Sequence, residues 1–481
     1  MSWRYILSII GFLVLMLGAA MLLPLFVSLY YGEKGTLAMA ISTAITVASG
    51  GGGWFAFKKY RSENVTPREG MAIASLGWAA VGFFGALPFW LSGTCSFIDA
   101  FFESVSGFTT TGASIYADPQ GLFHGLLFWR SLIQWLGGMG IIVLSIAILP
   151  FLGVGGMQLY KAEVPSPVPD KLKPRIRETA MILWKVYLLF TLVQILMLMF
   201  GGMSLFDAVC HTFTTMPTGG FSTKTASVAH FDSVYLDTVF IVFMLIAGIN
   251  FSLHYQMLLG KPLALWKDPE CRFFLAVFGV MTAVVSFDVW RTVYPGIGES
   301  IRYGAFQVAS IVTTTGYATA DYETWPALSK LILLLAMFIG ASAGSTGGGM
   351  KCLRVMLYFK FCYKELFRLV HPHAVSRVKL GGKTVPEDVM HSILGFLGLY
   401  TGLFVLSALL LAALGVDFIT SFASVAACIG NIGPGLGGVG PTDNYALIPY
   451  LGKWVLIFCM LLGRLEIYTL IILVVPEFWR K

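Results

Sequence analysis

The chain has 481 residues, of which 57% are hydrophobic and 12% charged, and its mean hydropathy is +0.79. That composition excludes a water-soluble globule, which could not cover so much apolar surface, and points to a polytopic membrane protein. The formal charge of +7 is spread over alternate loops and gives no sign of a nucleic-acid partner.

A hydrocarbon core about 30 Å thick needs roughly 20 apolar residues per helix, and runs of that length recur from Tyr5 to Val475. The first two, Tyr5 to Tyr30 and Thr36 to Phe57, predict two N-terminal transmembrane helices within residues 1–60. The first is too long for a signal-peptide core and lacks a cleavage site, so it reads as a retained helix. The run Gly50 to Gly53 reads as the end of the second. Four segments of like design follow: residues 61–160, 161–262, 263–380 and 381–481. In each, a long apolar helix leads to a short one, then to a Thr/Gly-rich turn, then to a second long helix. The fold class is therefore all-α, with four tandem helix/pore-loop/helix repeats around a pseudo-fourfold pore plus the two extra N-terminal helices. Glu163 to Asp170, rich in proline and charge, reads as a linker between repeats one and two.

The four turns are Thr109 to Ser114, Thr215 to Ser222, Thr313 to Thr319 and Gly430 to Gly435. Asp99-Ala100 precedes Gly112 at the same distance as Asp207-Ala208 precedes Gly220. The register pairs Gly112, Gly220, Gly316 and Gly433, and aligns Glu103 with Gln307 and Ser424. An isolated Thr/Gly turn reads as close helix packing; four copies, each after a helix too short to span, read as a pore lining. Glycine suits such a lining because backbone carbonyls that replace a cation's hydration shell require unusual conformations. Non-helical backbone at membrane depth needs protein or water beside it. The hydroxyls of threonine can brace the loop or meet an ion, and the C-terminal ends of the short helices favour a cation.

Basic residues collect in alternate loops: Lys58, Lys59, Arg61 and Arg68; Lys161, Lys171, Lys173, Arg175 and Arg177; Lys261, Lys267 and Arg272; and six between Lys360 and Lys383. The positive-inside rule puts these loops, and with them both termini, in the cytoplasm, and opens the turns outward. The outward segments carry Asp99, Glu103, Asp118, Asp207 and Asp417 among other acids. Such carboxylates either concentrate cations at the mouth or cap the short helices. The seven cysteines lack metal-ligand spacing and read as packing residues.

In the second long helix of repeat three, Gly340 to Gly349 predicts a break between Ala336 and Lys351, since each glycine costs about 1 kcal/mol relative to alanine in a helix interior. No strand precedes it and no Walker ending follows, which excludes a phosphate loop; close packing is the alternative to a mobile element. Arg464 is a lone charge inside the last helix, expected to face a wet cavity or a partner, or to pair with Glu466. Arg130 and Gln134, one turn apart, are expected to brace the turns by hydrogen bonds. His371-Pro372-His373 reads as a solvated loop, with a metal site as the lesser option. No HExxH, GxSxG or paired-aspartate signature marks an enzyme.

Taken together, the turns around Gly112, Gly220, Gly316 and Gly433, the run Trp129-Arg130-Ser131 with Gln134 to Gly140, and Gly344 to Lys351 are similar to the Trk/Ktr/HKT superfamily of potassium transporters, and within it to the bacterial TrkH-type membrane subunits. The resemblance covers the full length. It implies a filter of Thr110, Thr111 and Gly112, Thr218, Gly219 and Gly220, Thr314, Thr315 and Gly316, and Asn431, Ile432 and Gly433. It implies K+ held at Thr111, Gly112, Gly220, Thr315, Gly316 and Gly433, with Rb+ accepted and sodium disfavoured because the first repeat carries glycine rather than serine. Met216-Pro217 in turn two, and the missing threonines of turn four, depart from the pattern and make the filter asymmetric. An intramembrane gate is implied at Gly344, Ser345, Thr346, Gly347, Gly348, Gly349 and Lys351, with Arg464 as its counterpart and Lys351 anchoring its cytoplasmic end. The resemblance further implies gated potassium uptake across the bacterial inner membrane, with bound K+ and no covalent cofactor. The alternative is a proton- or sodium-coupled symporter. A homodimer and a cytosolic TrkA-type nucleotide-binding ring are implied as partners. The loops Lys173 to Arg177 and Lys360 to Lys383 are docking candidates, against the simpler reading that they fix topology and touch anionic lipid.

Overall fold

A computed structural model of the chain describes residues 2–60, 66–140, 176–374 and 376–480. The linker Glu163 to Asp170, the basic residues Arg61, Lys161, Lys171, Lys173 and Arg175, and everything in repeat one's second helix past Gly140 lie outside the described residues. Among the described residues, five helices are long and apolar enough to cross a membrane: Trp3–Tyr31, Arg68–Leu91, Thr179–Phe200, Pro269–Val289 and Glu387–Ala413. Counting each of two bent pairs as one span gives up to seven. Large apolar side chains such as Leu192, Phe200, Val280, Phe287 and Leu409 stand exposed on their outward faces, which suits lipid rather than water.

The long helices start where local chemistry dictates. Thr66 and Glu69 form a reciprocal capping box before Pro67 at the first helical position. Asp268 accepts from the Cys271 amide at 2.7 Å, with Pro269 next in line. Thr36–Phe57 runs unbroken through Gly50 to Gly53, so those glycines do not end the helix. They form a crossing seam instead: a Cβ on Gly50 would lie 2.3 Å from the Leu15 amide nitrogen, and one on Gly11 2.6 Å from that of Trp54. Backbones approach this closely only where side chains are missing.

Four short helices lie between the long ones: Phe97–Phe108, Leu205–Thr215, Ile297–Val312 and Phe418–Ile429. At about 1.5 Å per residue none reaches 30 Å. Ser96, Ser204 and Asp417 cap three of them through the third amide, and the helices are buried along most of their length. The first packs on Arg68–Leu91 through small residues, where Ser104 donates to the Gly82 carbonyl at 2.7 Å and the Trp129 indole to that of Gly85 at 3.0 Å.

The second long helices are interrupted. In the third segment Ala327–Ile339 and Cys352–Val370 flank a non-helical stretch from Gly340 to Lys351, where the glycine content predicts it. Two further breaks are not legible in the hydropathy: Val234–Gly248 meets Phe251–Leu258 at 103°, and Tyr450–Arg464 meets Tyr468–Val474 at 116°. In the first segment a π-turn spans Leu136–Gly140. The strands among the described residues are a two-residue hairpin, Lys379–Leu380 with Lys383–Thr384, a small addition to the all-α expectation.

Candidate functional site

Each short helix ends in the same backbone figure. The paired glycines all have positive φ: 80° at Gly112, 73° at Gly220, 84° at Gly316 and 101° at Gly433. Two residues earlier in every turn a non-glycine residue is also left-handed: Thr110, Thr218, Thr314 and Asn431, an uncommon conformation for such residues. The residue between donates its amide five positions back: Thr111 to Ser106, Gly219 to Thr214, Thr315 to Ser310 and Ile432 to Ala427, at 2.8 to 2.9 Å. The register read from the sequence is thus the register of the backbone.

The turns meet in a closed cycle. A Cβ built on Gly112 would fall 2.0 Å from the Gly219 carbonyl oxygen, on Gly220 1.9 Å from Thr315 O, on Gly316 2.0 Å from Ile432 O, and on Gly433 2.8 Å from Thr111 O. Every glycine therefore abuts the residue before the glycine of the next turn, and the fourth returns to the first. A side chain at any of the first three would displace backbone, not a movable side-chain tip.

Side chains tie each neighbouring pair. Between turns one and two, Arg130 donates to Glu103 at 2.5 Å, to the Ser222 carbonyl at 3.0 Å and to the Ser114 hydroxyl at 2.9 Å, with its guanidinium 3.9 Å from the Phe221 ring centre. Gln134 donates to the Gly219 carbonyl at 2.8 Å and accepts from the Phe221 amide at 3.1 Å. These are the braces expected of Arg130 and Gln134. Between turns two and three, the buried Tyr317 hydroxyl bonds Thr214 at 2.5 Å and the His211 carbonyl at 2.8 Å. Tyr322 donates to the Gly435 carbonyl at 2.8 Å, joining turns three and four. Asn431 donates to the Thr111 hydroxyl at 2.9 Å, and the Tyr445 amide to the Ser114 carbonyl at 2.8 Å, closing four to one.

The threonines divide by position. The hydroxyls of Thr111 and Thr315 lie behind the turns, bonded to Thr109 and Thr313 at 2.7 and 2.8 Å. That of Thr218 bonds the Pro217 carbonyl. The buried Thr110 hydroxyl has no hydrogen-bond partner among the described residues. Residues leaving the turns line a cavity of about 110 Å³ that all four glycines border, together with Arg130, Lys224 and Tyr445. The carboxylates expected to charge its mouth are mostly engaged. Asp99 pairs with Lys453 at 2.6 Å, Asp207 with Lys224 at 3.3 Å, and Glu103 with Arg130. Asp417 caps its helix, and hydrogen bonds from Thr420 hold its carboxyl below the usual range. The capping and pairing roles prevail over a free acidic field.

Residues leading into the turns face the stretch Gly340–Lys351. Gly348 donates its amide to the Thr314 hydroxyl at 2.6 Å, and a Cβ on it would lie 2.4 Å from the Gly430 carbonyl. Thr346 donates to the carbonyls of Met216 and Ala247 at 2.9 and 3.1 Å. The Ser342 amide reaches the Gly248 carbonyl, and the Gly344 carbonyl accepts from Phe251, so this loop sits in the break of the neighbouring bent helix. Arg464 donates to the carbonyls of Thr346, Gly137 and Gly138 at 2.9, 2.6 and 2.8 Å. Its pairing with Glu466 is not formed; Glu466 bonds Arg354. Lys351, at the cytoplasmic end expected of it as an anchor, is buried and donates to the Gly347 carbonyl of the same loop. Gly344, Ser345 and Gly349 belong to the same loop, which touches three turns directly and the first through Arg464 and Gly137, whose Cβ would meet the Phe108 carbonyl.

Sequence reasoning missed His211, which occupies the register of Glu103, Gln307 and Ser424 and bonds Ser222 at 3.0 Å. It also missed Tyr317 and Asn250. The first was findable from the register alone. His371-Pro372-His373 lies in a turn after Cys352–Val370.

The family model described as "TrkH: Cation transport protein" matches residues 36–481. The chain belongs to the TrkH family. This is a family of multi-pass transport proteins rather than enzymes. The chain is 44% identical to the Trk system potassium uptake protein TrkH of Escherichia coli K12 and 40% identical to TrkG of the same strain, covering 100% and 99% of both partners respectively. The crystal structure of the potassium transporter TrkH from Vibrio parahaemolyticus superposes with a TM-score of 0.90 at 39% identity, over 100% of both chains.

Proposed function

We propose that this chain is the membrane subunit of a bacterial potassium uptake system and conducts K+ through a gated pore. Four tandem repeats, with bounds near residues 61–160, 161–262, 263–380 and 381–481, surround a pseudo-fourfold axis, and residues 1–60 add two spanning helices. The observation that carries the reading is the closed cycle of turns, each with the same two left-handed positions and each glycine against the next turn's carbonyl. A dehydrated cation needs oxygens from several sides at once, and a rigid ring supplies them without reorganisation. K+ is the substrate, held by Thr111, Gly112, Gly220, Thr315, Gly316 and Gly433 within the filter of the twelve turn residues. The unpartnered Thr110 hydroxyl supports an ion position at the inner side of the ring. Rb+ is accepted and sodium disfavoured. That the relatives are named as potassium uptake proteins supports the choice of ion.

The loop Gly344–Gly349, with Lys351 and Arg464, is the gate. It lies against the residues leading into the turns, while the cavity of about 110 Å³ lies against those leaving them. In this reading the cavity is the outer mouth in the periplasm, both termini are cytoplasmic, and the membrane is the bacterial inner one. The protein acts as a homodimer under a cytosolic nucleotide-binding ring, with the basic segment Lys360 to Lys383 as its dock.

The test is cation flux into proteoliposomes holding the chain alone, comparing K+, Rb+ and Na+, beside Gly112→Ser. Potassium flux that follows the imposed potential, with sodium admitted by the variant, is expected. Flux that requires a proton or sodium gradient would replace the pore with a symporter.

A further inference from the structure

One buried carboxylate that permeation does not use straps both ends of the glycine-rich loop. Glu270, the second residue of Pro269–Val289, is 7% exposed. Its Oε1 accepts from the Ala343 amide at 2.6 Å and from the Leu353 amide at 3.2 Å. Ala343 lies four residues past the end of Ala327–Ile339, and Leu353 lies in the first turn of Cys352–Val370. The neck is narrowed further by the Cys352 amide on the Ala341 carbonyl at 3.0 Å and the Cys352 thiol on that of Gly340 at 3.1 Å. The loop is thus a compact bulge with a pinched neck, its two ends held close together. Its crown, Thr346 to Gly348, is the part that meets the turns.

One oxygen serves both amides, so the two bonds are lost together when the acceptor moves, and with the carboxyl ionised they are charge-assisted and stronger than neutral bonds. Glu270 stands two residues after Asp268, whose carboxylate fixes the start of the helix, so the strap's position is set by a rigid helix end. Lys351, buried beneath the crown, is near enough to interact with it electrostatically.

We infer that Glu270 is a positioning residue that latches the loop in its docked state by holding both ends of the neck on one carboxylate oxygen. The inference rests on the gate reading above. Permeation then requires the latch to yield as well as the crown.

The test measures potassium flux into proteoliposomes for the native chain, Glu270→Gln, Glu270→Asp and Thr346→Val, with the K+/Na+ flux ratio and the thermal unfolding midpoint for each. Glu270→Gln keeps the shape and removes the charge, and is expected to raise unstimulated flux about tenfold, with selectivity and midpoint unchanged. Glu270→Asp, which keeps the charge, should fall between it and the native chain. Native flux in Glu270→Gln beside raised flux in Thr346→Val overturns the latch and leaves the gate. No rise in either overturns the gate reading itself. A rise accompanied by lost selectivity and a lowered midpoint, or an Asp variant as leaky as the Gln variant, also overturns the latch, since either result makes Glu270 a general support of the fold.

Discussion

The ring of turns and the loop beneath it are both glycine-bearing backbone outside any helix, and they are secured in different ways. The ring is held by one motif used four times, the five-residue-back amide bond, and by side-chain ties across every seam, from Arg130 and Gln134 to Tyr317, Tyr322 and Asn431. Its stresses are shared among four segments, so losing one bond leaves the others in place. The loop belongs to one segment, and bonds from separate neighbours hold its crown: Gly348 to Thr314, Thr346 to Met216 and, by both hydroxyl and amide, to Ala247, Lys351 to Gly347, and Arg464 to Thr346. A part held by its neighbours' surfaces can leave as a body. A part that is its neighbours' common wall cannot. The contrast supports the proposal of a fixed filter and a movable gate.

The largest effect expected on that contrast comes from Arg130→Ala. It strands Glu103, which is fully buried, and breaking one partner of such a pair typically costs about 3–5 kcal/mol. A lowered unfolding midpoint in detergent and abolished uptake should appear together; an unchanged midpoint would mean that the ring does not depend on this pair. Next are the ring glycines. Serine at 112, 220 or 316 forces a Cβ within 2.0 Å of a carbonyl oxygen, whereas at 433 the nearest oxygen is 2.8 Å away. Sodium flux should therefore rise more in Gly112→Ser, Gly220→Ser and Gly316→Ser than in Gly433→Ser, and the opposite order would break the ring geometry.

On the loop side the expected sign reverses. Arg464→Gln removes charge-assisted bonds to three carbonyls and should raise potassium flux severalfold while the K+/Na+ ratio holds; unchanged flux would remove Arg464 from the gate. The smallest effects belong to the N-terminal seam, away from both regions. Gly50→Ala presses on the Leu15 backbone and should lower the midpoint. Gly52→Ala, with nothing within 4 Å, should raise it slightly, by about 0.5–1 kcal/mol of helix preference. Equal shifts would show that the seam is not close-packed.

Much of the ring was legible beforehand because its constraint is local. A left-handed position calls for glycine in the same place four times, and a periodic count from Asp99 and Asp207 recovers Gly112 and Gly220. The break at Gly340 to Lys351 was legible for the same reason, from helix propensity over ten residues. Gly50 to Gly53 misled because propensity says nothing of a neighbouring backbone at contact distance. The bends after Gly248 and Arg464 went unseen because their flanks stay apolar, so hydropathy runs through them; only Asn250, capping the next helix through Ser252, marks the first.

By itself the sequence determined the quantities that depend on neighbours along the chain: the membrane as solvent, the order of long and short helices, and the glycine of each turn. Tertiary structure alone decided which surfaces meet. It set Glu270 on an amide 73 residues away and Arg464 on a carbonyl 327 residues away, and it turned the acids at the mouth into caps and ion pairs. The physical reason is range. Backbone preference and hydrophobic length act within a few residues, whereas a buried hydrogen bond or ion pair is satisfied by whichever partner the packed fold delivers.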